Sequence, residues 1–149
     1  MFTHIKHKID RPFVETAHTE EGHFYKTESG KTYPSITTVF RLLDDKKWYP
    51  FWVAKVARDE GINEAQAEIR CKEIGGNSME MGNIVHKLAE EYLSNTTVNE
   101  PSSKIEEIDP MELFLPLSLH LMEHVDKVNG LEIPLYSDDL QLAGTADCI

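Results

Sequence analysis

The apolar residues of this chain repeat at two different periods, and the place where one period gives way to the other limits the fold it can take. Between residues 35 and 128 they recur every three or four positions, the spacing of one helix face. In LEIPLYSDDLQLAGTADCI (131–149) they alternate, the spacing of a strand. An earlier stretch, HFYKTESGKTYPSI (23–36), places aromatic and β-branched residues on either side of Glu28-Ser29-Gly30-Lys31 and reads as a hairpin, with Gly30 free to take a positive φ. The order is hairpin, helices, then the start of a sheet, which predicts an α+β fold in a single domain over 1–149. Two strands cannot cover this much helix, so further strands are expected to follow.

Within the helical stretch, Ser35 can cap a short helix over Ile36, Val39, Phe40 and Leu43, and a second helix covers 50–60 and stops at Gly61. A third is expected over 63–74, broken by Gly75-Gly76. Asn77 then reads as an N-cap with Glu80 completing a capping box, ahead of a stripe of Met81, Ile84, Val85, Leu88, Ala89 and Tyr92. Residues 94–108 form a polar loop. Asp109-Pro110 opens a last helix to about 127, with Leu113, Leu117, Leu121, Val125 and Val128 on one face, a kink at Pro116 and a stop at Asn129-Gly130.

The net charge of −11 argues against a phosphate-binding surface spread over the whole chain. Its distribution narrows that exclusion to one half: residues 1–72 hold 12 basic and 11 acidic residues, whereas 73–149 hold 3 and 15. Carboxylates in the acidic half that bind divalent metal would be neutralised in the working state. No apolar run reaches bilayer length, and MFTHIKHKIDR has no signal-peptide core, so a cytoplasmic location and no membrane partner are expected. Cys71 and Cys148 stand alone, as in a reducing compartment.

Three residues form the candidate constellation. Gly82, His86 and Glu90 fall in one row four residues apart, and a glycine one turn before a histidine leaves space above the imidazole. The plain alternative is an imidazole paired with Glu90. Asp147 shares a strand face with Gln141, Ala143 and Thr145, so it lies either at the wet margin of a sheet or on a metal. Glu132 reaches the same region if the two strands pair. His86, Glu132 and Asp147 together would suit Mg2+, or Mn2+ where an imidazole takes part. Separately, KKWYPFWVAK (46–55) interleaves aromatics with lysines, and Lys46, Lys47, Trp48 and Lys55 are candidates for nucleic-acid contact, set against packing of the aromatics as core.

The run GNIVHKLAEEYL (82–93) resembles the Gly-x-x-x-His helix of PD-(D/E)xK nucleases of the RecB and mitochondrial genome maintenance exonuclease type, a group widespread in phages. EIPLYSDDLQLAGTADCI (132–149) is similar to the Glu strand and Ala-Gly-Thr-x-Asp strand of the same enzymes, and YPSITTV (33–39) with the Trp-containing region 48–61 to their N-terminal half. The resemblance implies a restriction-endonuclease-like α/β core and a metal-dependent DNA exonuclease acting in replication, recombination or repair, in a bacterial or phage-infected cell. It implies Asp147 as a metal ligand, His86 as a residue that contacts or orients the metal, Glu132 as an auxiliary acid, and no small-molecule cofactor. Asn83 stands where relatives often carry Thr. The Asp/Glu-x-Lys strand that follows in the family is not in these 149 residues, so the chain is expected to be a fragment of a longer nuclease and inactive alone.

Two other classes compete. HLMEH (120–124) fits the His-x-x-Glu-His pattern of inverted zinc proteases but needs a third ligand, with 25 residues remaining. A non-catalytic acidic binding module, or an inactive nuclease relative, is the other.

Overall fold

The structure, a computed structural model, describes residues 1–5, 14–43, 48–99, 101, 104–106 and 108–149. The chain divides into two compact units, one of residues 45–125 with Met1, the other of residues 2–44 with 126–149. One unit is helical and the other is built on strands, an α+β composition.

In the helical unit, α2 (Trp48–Glu60) ends where Gly61 turns to φ 66°, and the Ile62 amide donates to the Ala57 carbonyl at 3.0 Å. Two residues on, Asn63 caps α3 (Glu64–Leu93): its Oδ1 accepts from the Gln66 amide at 3.0 Å, and the Gln66 side chain accepts from the Asn63 amide at 3.3 Å. Val53 and Val56 of α2 pack on Ala67 and Cys71 of α3, with Tyr49, Trp52, Ala57 and Ile62 around them. α4 (Pro110–His124) is capped by Asp109 and begins with Pro110, whose missing N–H costs nothing at a first helical position. Its buried anchor is Phe114, which meets Tyr92 of α3 edge to face at 5.9 Å.

Three expectations fail here. The helix break at Gly75-Gly76 does not occur, so Asn77 lies within α3 and caps nothing; α3 is one helix of 30 residues. Glycine costs a helix only about 1 kcal/mol per residue relative to alanine, and Ala67, Cys71, Met81 and Leu88 are buried on either side of the pair. Asn77 instead joins Arg70 in hydrogen-bonding Glu106, whose carboxyl is held below the usual range, by Arg70 first and Asn77 second. The last helix also ends three residues early. At Val125 the backbone becomes extended, and Lys127–Val128 form a short strand, with Val128 buried there rather than on a helix face. Leu113, expected on the buried stripe, is 48% exposed, one position round from Phe114.

In the strand unit, β1 (Thr3–His4) pairs parallel with β5 (Lys127–Val128). β2 (Val14–Thr19), β3 (Gly22–Thr27) and β4 (Thr32–Pro34) form an antiparallel sheet in that order, β2 being a strand that the sequence pattern did not announce. The turn at 28–31 has Gly30 at φ 82°, as expected. α1 (Ile36–Leu43) follows at once, with the Ser35 hydroxyl accepting from the Thr38 amide at 3.0 Å. β6 (Leu131–Ser137) and β7 (Leu142–Cys148) make an antiparallel hairpin. A parallel bridge from Ser35 to Ala143 ties it to the first sheet, over a core of Tyr25, Tyr33 and Ala143. No helix among the described residues is long and apolar enough to cross a membrane.

Candidate functional site

The β6–β7 ladder pairs Gly130 with Ile149, Leu131 with Cys148 and Ile133 with Ala146, a register that leaves Glu132 directly across from Asp147. Their carboxylates each offer an oxygen within 4.8 Å of the other, close enough for one small cation to span. Both side chains are exposed. Along β7, Ala143 is buried while Thr145 and Asp147 on the same face are exposed, so Asp147 lies at the wet margin of the sheet.

Several contacts fix the hairpin that carries the pair. At its open end the Ile149 amide donates to the Gly130 carbonyl at 2.9 Å, and the Ile149 carbonyl accepts from Asn129 at 2.6 Å. In the middle, Tyr25 Oη and Thr145 Oγ1 are 3.1 Å apart. At the turn, Lys31 Nζ donates to Asp138 at 2.7 Å and the Tyr33 hydroxyl donates to the same oxygen. Lys31 first and Tyr33 second hold the Asp138 carboxyl below its ordinary range. Next to the carboxylates, burial and then the charge of Asp147 push the Cys148 thiol up.

Glu132 has φ 50°, a left-handed value rarely taken by a non-glycine residue. Its neighbours Leu131 and Ile133 keep ladder partners, so the distortion is confined to one residue and acts on the aim of one side chain.

His86 belongs to the helical unit, exposed on α3 with half-buried Val85 and Glu90 nearby along the helix. A Cβ added at Gly82 would meet nothing within 4 Å, so the space above the imidazole is real. It forms part of a hollow of about 540 Å³ lined by Ser78, Met81, Gly82, Val85, His86 and Leu113.

The aromatic and basic stretch divides its duties. Tyr49 and Trp52 pack against the α2–α3 core, while Trp48 is 55% exposed and Phe51 80% exposed at the start of α2. Phe51 belongs to the interleaved aromatics but is not among the residues that the sequence singles out for nucleic-acid contact; its exposure is the signal that adds it. Lys55 is exposed and paired with Asp59 at 2.7 Å. Lys46 and Lys47 lie outside the described residues. On α4, His120 and His124 stand 4.2 Å apart between ring centroids, and His124 Nε2 is 3.9 Å from Glu123 Oε2. Among the described residues these three do not converge as a set of metal ligands.

Comparison with known proteins adds no neighbour: no family model, no curated protein and no solved structure matches this chain.

Proposed function

We propose that this chain is part of a metal-dependent DNA exonuclease of the PD-(D/E)xK kind, with a restriction-endonuclease-like core. The observation that carries the reading is the juxtaposition of Glu132 and Asp147 across one ladder, with oxygens within 4.8 Å. Two hard oxygen donors at a solvent-facing strand end suit Mg2+ or Mn2+ and suit a soft thiophilic metal poorly. The resemblance of GNIVHKLAEEYL and LAGTADCI to the family's motifs supports the same conclusion, and by that resemblance alone His86 is proposed as a residue that contacts or orients the metal.

Asp147 and Glu132 would hold the metal, which when bound supplies Lewis-acid polarisation of a phosphodiester and a more acidic water. Asp147 is positioned by the Tyr25 to Thr145 contact two residues earlier on its own strand. Glu132 aims its carboxylate from a left-handed backbone. Single-stranded DNA or DNA ends are the proposed partner, with exposed Trp48 and Phe51 as stacking surfaces and Lys46, Lys47 and Lys55 as phosphate contacts.

The test has two arms. Mn2+ is titrated into this chain while paramagnetic broadening of the NMR signals is followed, and end-labelled DNA is offered with Mg2+ or Mn2+ to the product of the full reading frame. Broadening centred on 132 and 147 and lost in Asp147→Ala, with DNA degradation lost in the same variant, is expected. Broadening that ignores both Asp147→Ala and Glu132→Ala would refute the metal assignment. Metal binding without DNA degradation would put the non-catalytic binding reading first.

A further inference from the structure

We propose that the hollow between the β2–β3 hairpin and α1 binds a phosphoryl anion, as free phosphate or a phosphate ester, and binds it more tightly as the pH falls. The hollow encloses about 280 Å³ and is lined by His18, Gly22, His23, Thr37, Thr38 and Arg41, among others. This inference is independent of the nuclease reading and uses none of its residues.

Its walls carry donors and cationic groups, and none of its lining residues is a carboxylate. Arg41 Nη2 donates to the backbone carbonyls of Glu20 and Glu21, which fixes the guanidinium at the rim. Its Nε and Nη1 make no bond among the described residues and remain available as single N–H donors to anion oxygens. The Thr38 hydroxyl accepts from the His23 amide at 2.9 Å and donates to the His23 carbonyl at 3.1 Å, so α1 and β3 share a fixed floor. Only glycine at 22 permits this approach, because an added Cβ would stand 2.4 Å from the Thr38 methyl.

His18 and His23 face each other across the β2–β3 ladder, their rings stacked at 3.9 Å and 15°. Two imidazolium ions would not stack so closely without a counter-charge. The stack is unfavourable with both rings charged, and the His23 pKa is shifted down, by burial first and by His18 second. His23 Nε2 is enclosed and has no hydrogen-bond partner among the described residues. A polar atom left so is unfavourable. An anion admitted beside the pair would favour protonation, give both rings a counter-charge and give that nitrogen an acceptor.

The charged and titratable groups around the pair are Arg41 from α1, the Tyr25 ring from β3 at 4.6 Å from His23, and Glu20 and Glu21 in the connecting turn. The last two are exposed, so their repulsion is screened by water and salt and lowers affinity without reversing its sign. A transition metal fits less well: the stacked rings present faces to each other rather than converging lone pairs, and Arg41 repels a cation.

The test follows imidazole and guanidinium NMR signals of the whole chain as sodium sulfate, and separately sodium phosphate, is added at about pH 5.5 and about pH 7.5, either side of an ordinary histidine pKa. Sulfate keeps one charge across that range, so a pH effect with sulfate comes from the protein. The expected result is saturable shifts of His18, His23 and Arg41, with binding several-fold tighter at the lower pH, about tenfold being the limit for a one-unit rise in a histidine pKa. Arg41→Gln should weaken binding by a similar factor. Because that change also loosens the turn, His23→Asn serves as the second variant and should remove most of the pH effect. An oligonucleotide with a 5′-phosphate, beside the same one without it, tells a nucleic-acid end from free phosphate as the source. No saturable shift with either anion would overturn the proposal, as would equal sulfate affinity at both pH values, or saturable Zn2+ binding at the pair with no response to anions.

Discussion

Replacing Gly75 and Gly76 together by alanine should stabilise the protein. Both glycines are exposed within α3, and an added Cβ at either would meet nothing within 4 Å. No new contact is made, so the effect is the intrinsic difference between glycine and alanine in a helix, about 0.8–1.0 kcal/mol each. Two such changes give about 1.6–2 kcal/mol, or about 3–8 °C in Tm for a chain of this size. The assay is thermal and urea unfolding followed by helical circular dichroism. Gly61→Ala is the internal control: its Cβ also meets nothing, but its φ of 66° is costly for alanine, so the same chemical change should destabilise by about 1 kcal/mol. If the double variant lost stability as the Gly61 variant does, the backbone at 75–76 would not be helical and the argument for a continuous α3 would fall.

Removing the α3 cap with Asn63→Ala should cost about 1 kcal/mol, seen as a lower urea midpoint with an unchanged m value. Gly22→Ala should destabilise by about 1–3 kcal/mol, as overpacking does, because the new methyl collides with a Thr38 side chain already committed to three hydrogen-bond partners. The Asp138 carboxyl is depressed by Lys31 and Tyr33, so its contribution is present above the ordinary aspartate pKa of about 3.9 and lost as pH falls through the lower folded value. Lys31 is raised by the same contact, and its share is lost only as pH rises through the elevated lysine value. Asp138→Asn should flatten the acid limb of stability against pH, and an unchanged limb would remove this contact from the explanation.

Much of the architecture could be read from spacing because it rests on local rules. Ser35 before an apolar period, Gly61 after one, and Gly30 in a four-residue turn are each decided within a few residues. The hairpin of β6 and β7 was visible in its alternation, and with it the juxtaposition of Glu132 and Asp147. Gly75-Gly76 misled because propensity is a weak local term and burial on both sides of the pair overrides it. Val128 misled because its helical spacing was fortuitous; pairing with β1, more than a hundred residues earlier, fixes it as strand. The His18–His23 pair was not legible at all: it needs β2 in register with β3, and nothing local to VETAHT signals that partner.

The left-handed backbone at Glu132 sets two demands on one position against each other. Folding alone would prefer glycine there, which carries no steric penalty at φ 50°. The metal site proposed at the hairpin mouth would call for a carboxylate, which glycine cannot supply. A library screened for thermal resistance should therefore drift toward glycine at 132, and one screened for Mn2+ retention should keep the acid. If the proposed metal site is correct, position 132 is where selection for durability and selection for metal binding would diverge.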